Sequence, residues 1–226
     1  MAMQAASPEP AAELRATAFA PERSLPVAAL LTLSGGFIDA FTWLSLGGVF
    51  ASSQTGNVVF LGIDVFSGQW QSAAHHLLPF AVFLLGAWVA IRIQAPLRCL
   101  MAQIVCLAVV MLLVHRISEP LAILGISFGV ALQSASFRRV ERWNYLSVTV
   151  TGNMLRAIDQ FVSVTDRDGS RGGVVMLVLC LMFLCGAAIG GFATTRLGAA
   201  SLAVPIALSA CALLWCRLNR TDHDHG

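Results

Sequence analysis

The chain has 226 residues, 57% hydrophobic and 12% charged, with a mean hydropathy of +0.77 and a net charge of +2. Soluble domains carry about 25% charged residues, so this composition excludes an ordinary water-soluble domain. The small net charge, with arginines set between apolar runs rather than in one patch, also excludes a nucleic-acid-binding face. The expectation is an integral membrane protein whose first partner is the lipid bilayer.

Residues 1–24 are rich in Ala, Pro and Glu without periodicity and read as a mobile tail. A cleaved leader would show a charged start and a short apolar stretch; here the first long apolar run begins only at Leu25, so it is expected to be retained. Apolar runs follow at 25–46, 76–95, 98–116, 119–137, 172–192 and 197–216. Each approaches the roughly 20 residues that a helix needs to cross a core of about 30 Å, with 98–116 the weakest. Two shorter, more polar segments, 55–66 and 151–162, each open on Thr-Gly-Asn. At about 1.5 Å per residue each covers roughly 18 Å, about half a membrane. Residues 217–226 form a polar tail, where His223 and His225 read as solvated rather than metal-binding, and Asp166 and Asp168 read as a loop.

Arginine placement chooses between six spans and eight, because cytoplasmic loops are enriched in basic residues. All 14 basic residues are arginine. With six spans and a cytoplasmic N-terminus, only Arg116 and Arg196 fall outside. With eight, the loop arginines scatter over both sides and Arg156 is left within a span. Six spans are therefore expected, with both termini cytoplasmic.

Internal repetition points the same way. "SGGFIDAF" (34–41) aligns with "GVALQSAS" (129–136), pairing Asp39 with Ser134 and Thr32 with Ser127. One inserted residue then brings Thr55-Gly56-Asn57 onto Thr151-Gly152-Asn153. "LGAWVAIRIQAPLR" and "CGAAIGGFATTRLG" hold corresponding places further on. The expected fold is an all-α membrane bundle of two repeats, 25–117 and 118–216, each made of a span, a half-helix and two spans. An odd number of spans per half makes the repeats inverted, an arrangement in which broken helices meet at a solute or ion site.

Thr55 and Thr151 are expected to cap the half-helices, Gly56 and Gly152 to allow close backbone approach, and Asn57 and Asn153 to add donors and acceptors. A half-helix starting there points free N–H groups and a positive dipole end into the membrane interior. The plainer reading is that Thr-Gly-Asn supplies small residues for packing, with Asn bonding across helices. Asp39 lies within the first span, where a carboxylate costs about 2.5–3.5 kcal/mol. Thr32, Gly35, Gly36, Asp39 and Thr42 share one helical face. Asp39 could bind a cation, carry a proton or orient Thr-Gly-Asn, or simply be held by a nearby hydroxyl; Arg156 is a candidate partner. The expected substrate pathway is lined by Asp39, Thr42, Thr55, Gly56, Asn57, Ser134, Thr151, Gly152 and Asn153.

The six cysteines lie in or beside apolar runs without a CxxC and read as inert buried thiols. Gly125-xxx-Gly129 and Gly186-xxx-Gly190 allow close helix contact within one chain or between copies, which leaves a homo-oligomer open. Trp70 and Trp143 read as interfacial belt residues. No HExxH, GxSxG or nucleotide-binding glycine motif appears in a suitable context, so no enzyme, cofactor or metal site is expected.

At "SGGFIDAFTWLSLGGVFASSQTGNVVFLG" the chain resembles the YoaK / DUF1275 family of bacterial integral membrane proteins, over roughly 25–216. "ALQSASFRRV" and "TVTGN" in the second half are also similar to the family, with Ala131 and Ser134 where its members more usually have Gly and Asn. The resemblance implies a small multi-span protein of the bacterial cytoplasmic membrane and supplies no activity. The leading expectation is a transporter or channel for a small polar solute or ion; the alternative is a non-transporting interaction or assembly protein.

Overall fold

The structure, a computed structural model, describes residues 19–163 and 167–224. The tail through residue 18, Asp166 and His225 lie outside the described residues. A 3-10 turn at Pro21–Arg23 leads into α1 (Leu25–Ser45), α2 (Gln54–Phe66), α3 (Trp70–Ile93), α4 (Pro96–Leu113) and α5 (Glu119–Ser136). A hairpin of β1 (Arg139–Val140) and β2 (Trp143–Asn144) precedes α6 (Val150–Ser163), α7 (Arg167–Leu197) and α8 (Ala203–Asp224). Proline stands in the first turn of α1, α4 and α5, where its missing N–H is one the helix leaves unpaired anyway. A short 3-10 turn, Gly198–Leu202, separates α7 from α8.

The expected spans and both short segments are helices. The two-residue strands are a local departure from the all-α expectation: Glu141 takes a φ of 49° and its N–H bonds the Arg23 carbonyl at 2.6 Å, drawing the chain back against the 3-10 turn. The Arg142 guanidinium lies 5.2 Å from the Trp143 ring centroid, so this Trp is half-buried under a cation, while Trp70 is largely exposed.

Among the described residues, four stretches are long and apolar enough to cross a membrane: Leu25–Ser45, Trp70–Ile93, Pro96–Leu113 and Ser170–Arg220, the last taking in most of α7 and most of α8. The surface fits that solvent. Leu84, Trp88, Leu112, Leu155 and Phe192 are all more than half exposed, while Thr32, Ser34, Asp39, Asn57, Gln133 and Asn153 are buried. Apolar side chains outside and polar ones inside is the arrangement that hydrocarbon favours. The chain is a membrane protein.

Packing follows a simple scheme. α1 lies against α7 and α8; α5 lies against α3 and α4; α2 rests on α3 and α6 on α7; α4 meets α8. The two tightest contacts depend on glycine. A Cβ at Gly186 would collide with the Leu33 carbonyl oxygen, and one at Gly36 with that of Phe183, so α1 and α7 touch backbone to backbone. A Cβ at Gly86 would stand 2.9 Å from the Phe128 carbonyl oxygen on α5. Gly125 and Gly129 face Val110 and Cys106 on α4, so both GxxxG pairs are engaged within the chain.

Candidate functional site

α2 and α6 have 13 and 14 residues, roughly 20 Å each, and their N-terminal ends build the site. Asp39, on the buried face of α1, reaches the start of α2. Its Oδ1 accepts the Ser52 N–H at 2.8 Å, and its Oδ2 accepts the Ser52 hydroxyl at 2.7 Å, the Ser53 N–H at 3.2 Å and the Ser53 hydroxyl at 2.5 Å. A carboxylate at a helix N-terminus is favoured by the helix dipole, and four donors replace the water that burial removes. Thr42, one turn on, donates to the Asp39 carbonyl and accepts the Ala51 N–H, both at 3.2 Å. Asp39 and Thr42 together hold the approach to α2, and Asp39 is only 3% exposed.

The two asparagines do the same work in each half. Asn57 Oδ1 accepts the Phe50 N–H at 3.0 Å while its Nδ2 donates to the Phe50 carbonyl at 2.6 Å. Asn153 Oδ1 accepts the Leu146 N–H at 3.3 Å while its Nδ2 donates to the Leu146 carbonyl at 2.9 Å. Each side chain thus clasps the backbone N–H and C=O of the residue seven positions back. Asn57 adds a bond from Nδ2 to Gln54 Oε1 at 2.8 Å, which uses both its amide hydrogens. Gly56 makes room for the Phe50 ring, which a Cβ would approach to 2.7 Å; Gly152 leaves space for the Arg156 guanidinium.

Two expectations are corrected. Thr55 and Thr151 are not the caps: α2 begins at Gln54 and α6 at Val150, one residue earlier, so each Thr lies in the first turn. In the first half, the capping oxygens come from Asp39 on another helix, which frees Thr55 from that duty. Arg156 is not the partner of Asp39, whose bonds go to the two serines; one guanidinium nitrogen of Arg156 is buried without a hydrogen-bond partner. Of the thiols, Cys185 and Cys211 are exposed on the apolar surface rather than buried.

Between the starts of α2 and α6 lies a cavity of about 500 Å³. Thr55, Ser134 and Thr151 line it; Asp39, Thr42, Gly56, Asn57, Gly152 and Asn153 lie behind, shaping the backbone. Ser134 is 3% exposed, and its hydroxyl has no hydrogen-bond partner. Among the described residues, Arg138 is the one charged side chain lining the cavity, and no carboxylate does so. Arg138 also borders a second cavity of about 700 Å³, shared with Arg23, Arg139 and Arg156, and a third of about 260 Å³ beside Gln94. Glu22, on the rim of the second, pairs with Arg220. Burial pushes the Tyr145 phenol up, so Tyr145, which also lines that cavity, remains a neutral hydroxyl. Among the described residues lining these three cavities, four arginines stand against the one carboxylate of Glu22.

Sequence reasoning missed Ser52, Ser53 and Arg138. The serines adjoin the Thr-Gly-Asn word, which was the available signal for them; Arg138 lies past the end of α5, where helical spacing from Ser134 gives none. No curated protein and no solved structure matches the chain. The family model described as protein of unknown function (DUF1275) matches residues 27–215, and the chain belongs to that family.

Proposed function

We propose that the protein is a transporter or channel for a small polar solute or ion in the bacterial cytoplasmic membrane. It would cross six times as two inverted repeats, with both termini cytoplasmic and the pathway at the repeat interface. The packing scheme supports the repeats, because exchanging α1–α4 for α5–α8 maps it onto itself: α1 on α7 becomes α5 on α3, and α1 on α8 becomes α5 on α4. The matched asparagine clasps and the matched close contacts, Gly186 on Leu33 and Gly86 on Phe128, follow the same exchange.

The observation that carries the transport reading is the cavity between the two half-helix starts, with an orphaned buried hydroxyl and one arginine on its wall. A buried polar group without a partner costs free energy, which a polar solute passing Ser134 would offset. Asp39 favours this over a cation site, because its carboxylate is already occupied by four donors.

Purified protein in liposomes, challenged by stopped-flow osmotic shock with a panel of small neutral and charged solutes, tests the reading. Protein-dependent reswelling, slowed by Thr55→Trp and Thr151→Trp, is expected. No reswelling with any solute would refute transport and favour the assembly alternative.

A further inference from the structure

The two half-helix starts are built alike but finished differently. In the first half, Asp39 fills the start of α2 with the chain's own carboxylate. In the second, the aligned position carries Ser134, which ends in a hydroxyl without a partner. The Asn153 clasp sets the segment from Leu146 onward in the register that Asn57 gives the segment from Phe50. Val148 and Thr149 therefore stand where Ser52 and Ser53 stand, and both line the cavity. The Ser53 N–H serves Asp39, whereas the Thr149 N–H bonds its own chain at Leu146 O, at 3.3 Å. A donor that has an external acceptor in one half falls back on the local backbone in the other.

We propose that this cavity binds a short-chain monocarboxylate, whose carboxylate takes beside Ser134 and the start of α6 the place that the Asp39 carboxylate takes at the start of α2. The proposal rests on the two-repeat reading and names the substrate class of that same site. Charge agrees with it: Arg138 and one uncompensated helix start balance a single negative charge. The wall agrees as well, since Phe83, Ile91, Val148 and Val150 offer an apolar lining to a short aliphatic tail. A volume of about 500 Å³ lies in the range of small-molecule sites.

The test measures binding and flux separately. Thermal unfolding of detergent-purified protein is followed against propionate, its neutral isostere propionamide, and chloride. Propionate is expected to raise the midpoint saturably, with propionamide and chloride without effect. Ser134→Asp installs the missing carboxylate and is expected to abolish the propionate response while the variant unfolds no earlier than wild type. Arg138→Gln, which removes a charge-assisted bond, is expected to weaken propionate by about tenfold or more. Equal responses to propionate and propionamide would overturn the proposal, as would an equal response to chloride or wild-type propionate affinity in Ser134→Asp or Arg138→Gln. Propionate binding without propionate flux in liposomes keeps the site and sinks transport. Flux of a neutral solute without propionate binding keeps transport and sinks the site.

Discussion

Asp39→Asn separates a structural carboxylate from a solute-handling one. The substitution keeps shape and removes charge, but one terminal atom becomes an NH₂ donor. Placed at the Oδ1 position it faces the Ser52 N–H; placed at the Oδ2 position it faces the Ser53 N–H. The serine hydroxyls can rotate to accept, whereas a backbone N–H cannot, so either placement orphans one buried donor. An orphaned donor costs about 1–3 kcal/mol, and loss of the charge at the helix start adds about 0.3–1 kcal/mol. Relief of the desolvation penalty on the carboxylate offsets part of this, leaving about 1–3 kcal/mol. At roughly 2–4 °C per kcal/mol for a chain of this size, the unfolding midpoint in micelles should fall by about 2–12 °C. Circular dichroism at rising temperature reads it directly. A variant with the wild-type midpoint and no flux would refute the reasoning and make Asp39 a group that acts on the solute.

The paired clasps make a comparative prediction: Asn57→Ala and Asn153→Ala each release one residue's backbone N–H and C=O and should destabilise by about 1–3 kcal/mol. Asn57→Ala should cost more because of its bond to Gln54, and unfolding midpoints of the two variants compare them. Gly186→Ala pushes a methyl into the α1 backbone and should lower the midpoint by an amount matching about 1–3 kcal/mol or more. Gly62→Ala, with nothing within 4 Å of its Cβ, should leave it unchanged or slightly raised. Reporter cysteines at Ser72 and Arg142, in a background lacking the native six, should report opposite sides to an impermeant reagent in intact cells. Six spans require Ser72 outside and Arg142 inside, and labelling at Arg142 alone would refute them.

Helix positions were legible because hydropathy runs of span length leave little freedom in lipid, and the short segments starting at Gln54 and Val150 fall within one residue of their expected starts. Burial of Asp39 was legible from its setting among Thr32, Gly35 and Gly36 on one helical face. Its partners were not, since Ser52 and Ser53 reach it only after the chain turns at Gly47 and Gly48, whose positive φ values fold the connection back under α1. The threonine caps were misjudged for the same reason: propensity rules assume that a helix caps itself, and here another helix supplies the oxygens. Arg138 carried only a topological meaning in the sequence. Its place at the meeting of three cavities depends on how α3, α5 and the 137–149 connection pack.

The asparagine clasps also bear on how the molecule assembles. Each closes a short loop between residues seven positions apart, and short loops close within roughly 10–100 ns. The backbone contacts of Gly36 with Phe183 and of Gly186 with Leu33 join opposite ends of the chain and must await the arrival of α7. We therefore expect each half-helix entry to take shape soon after its segment leaves the ribosome, ahead of the bundle that will enclose it. The late step is then the docking of α7 on α1 along a glycine seam, so substitutions in that seam should lower the yield of inserted protein more than the same substitutions at the clasps.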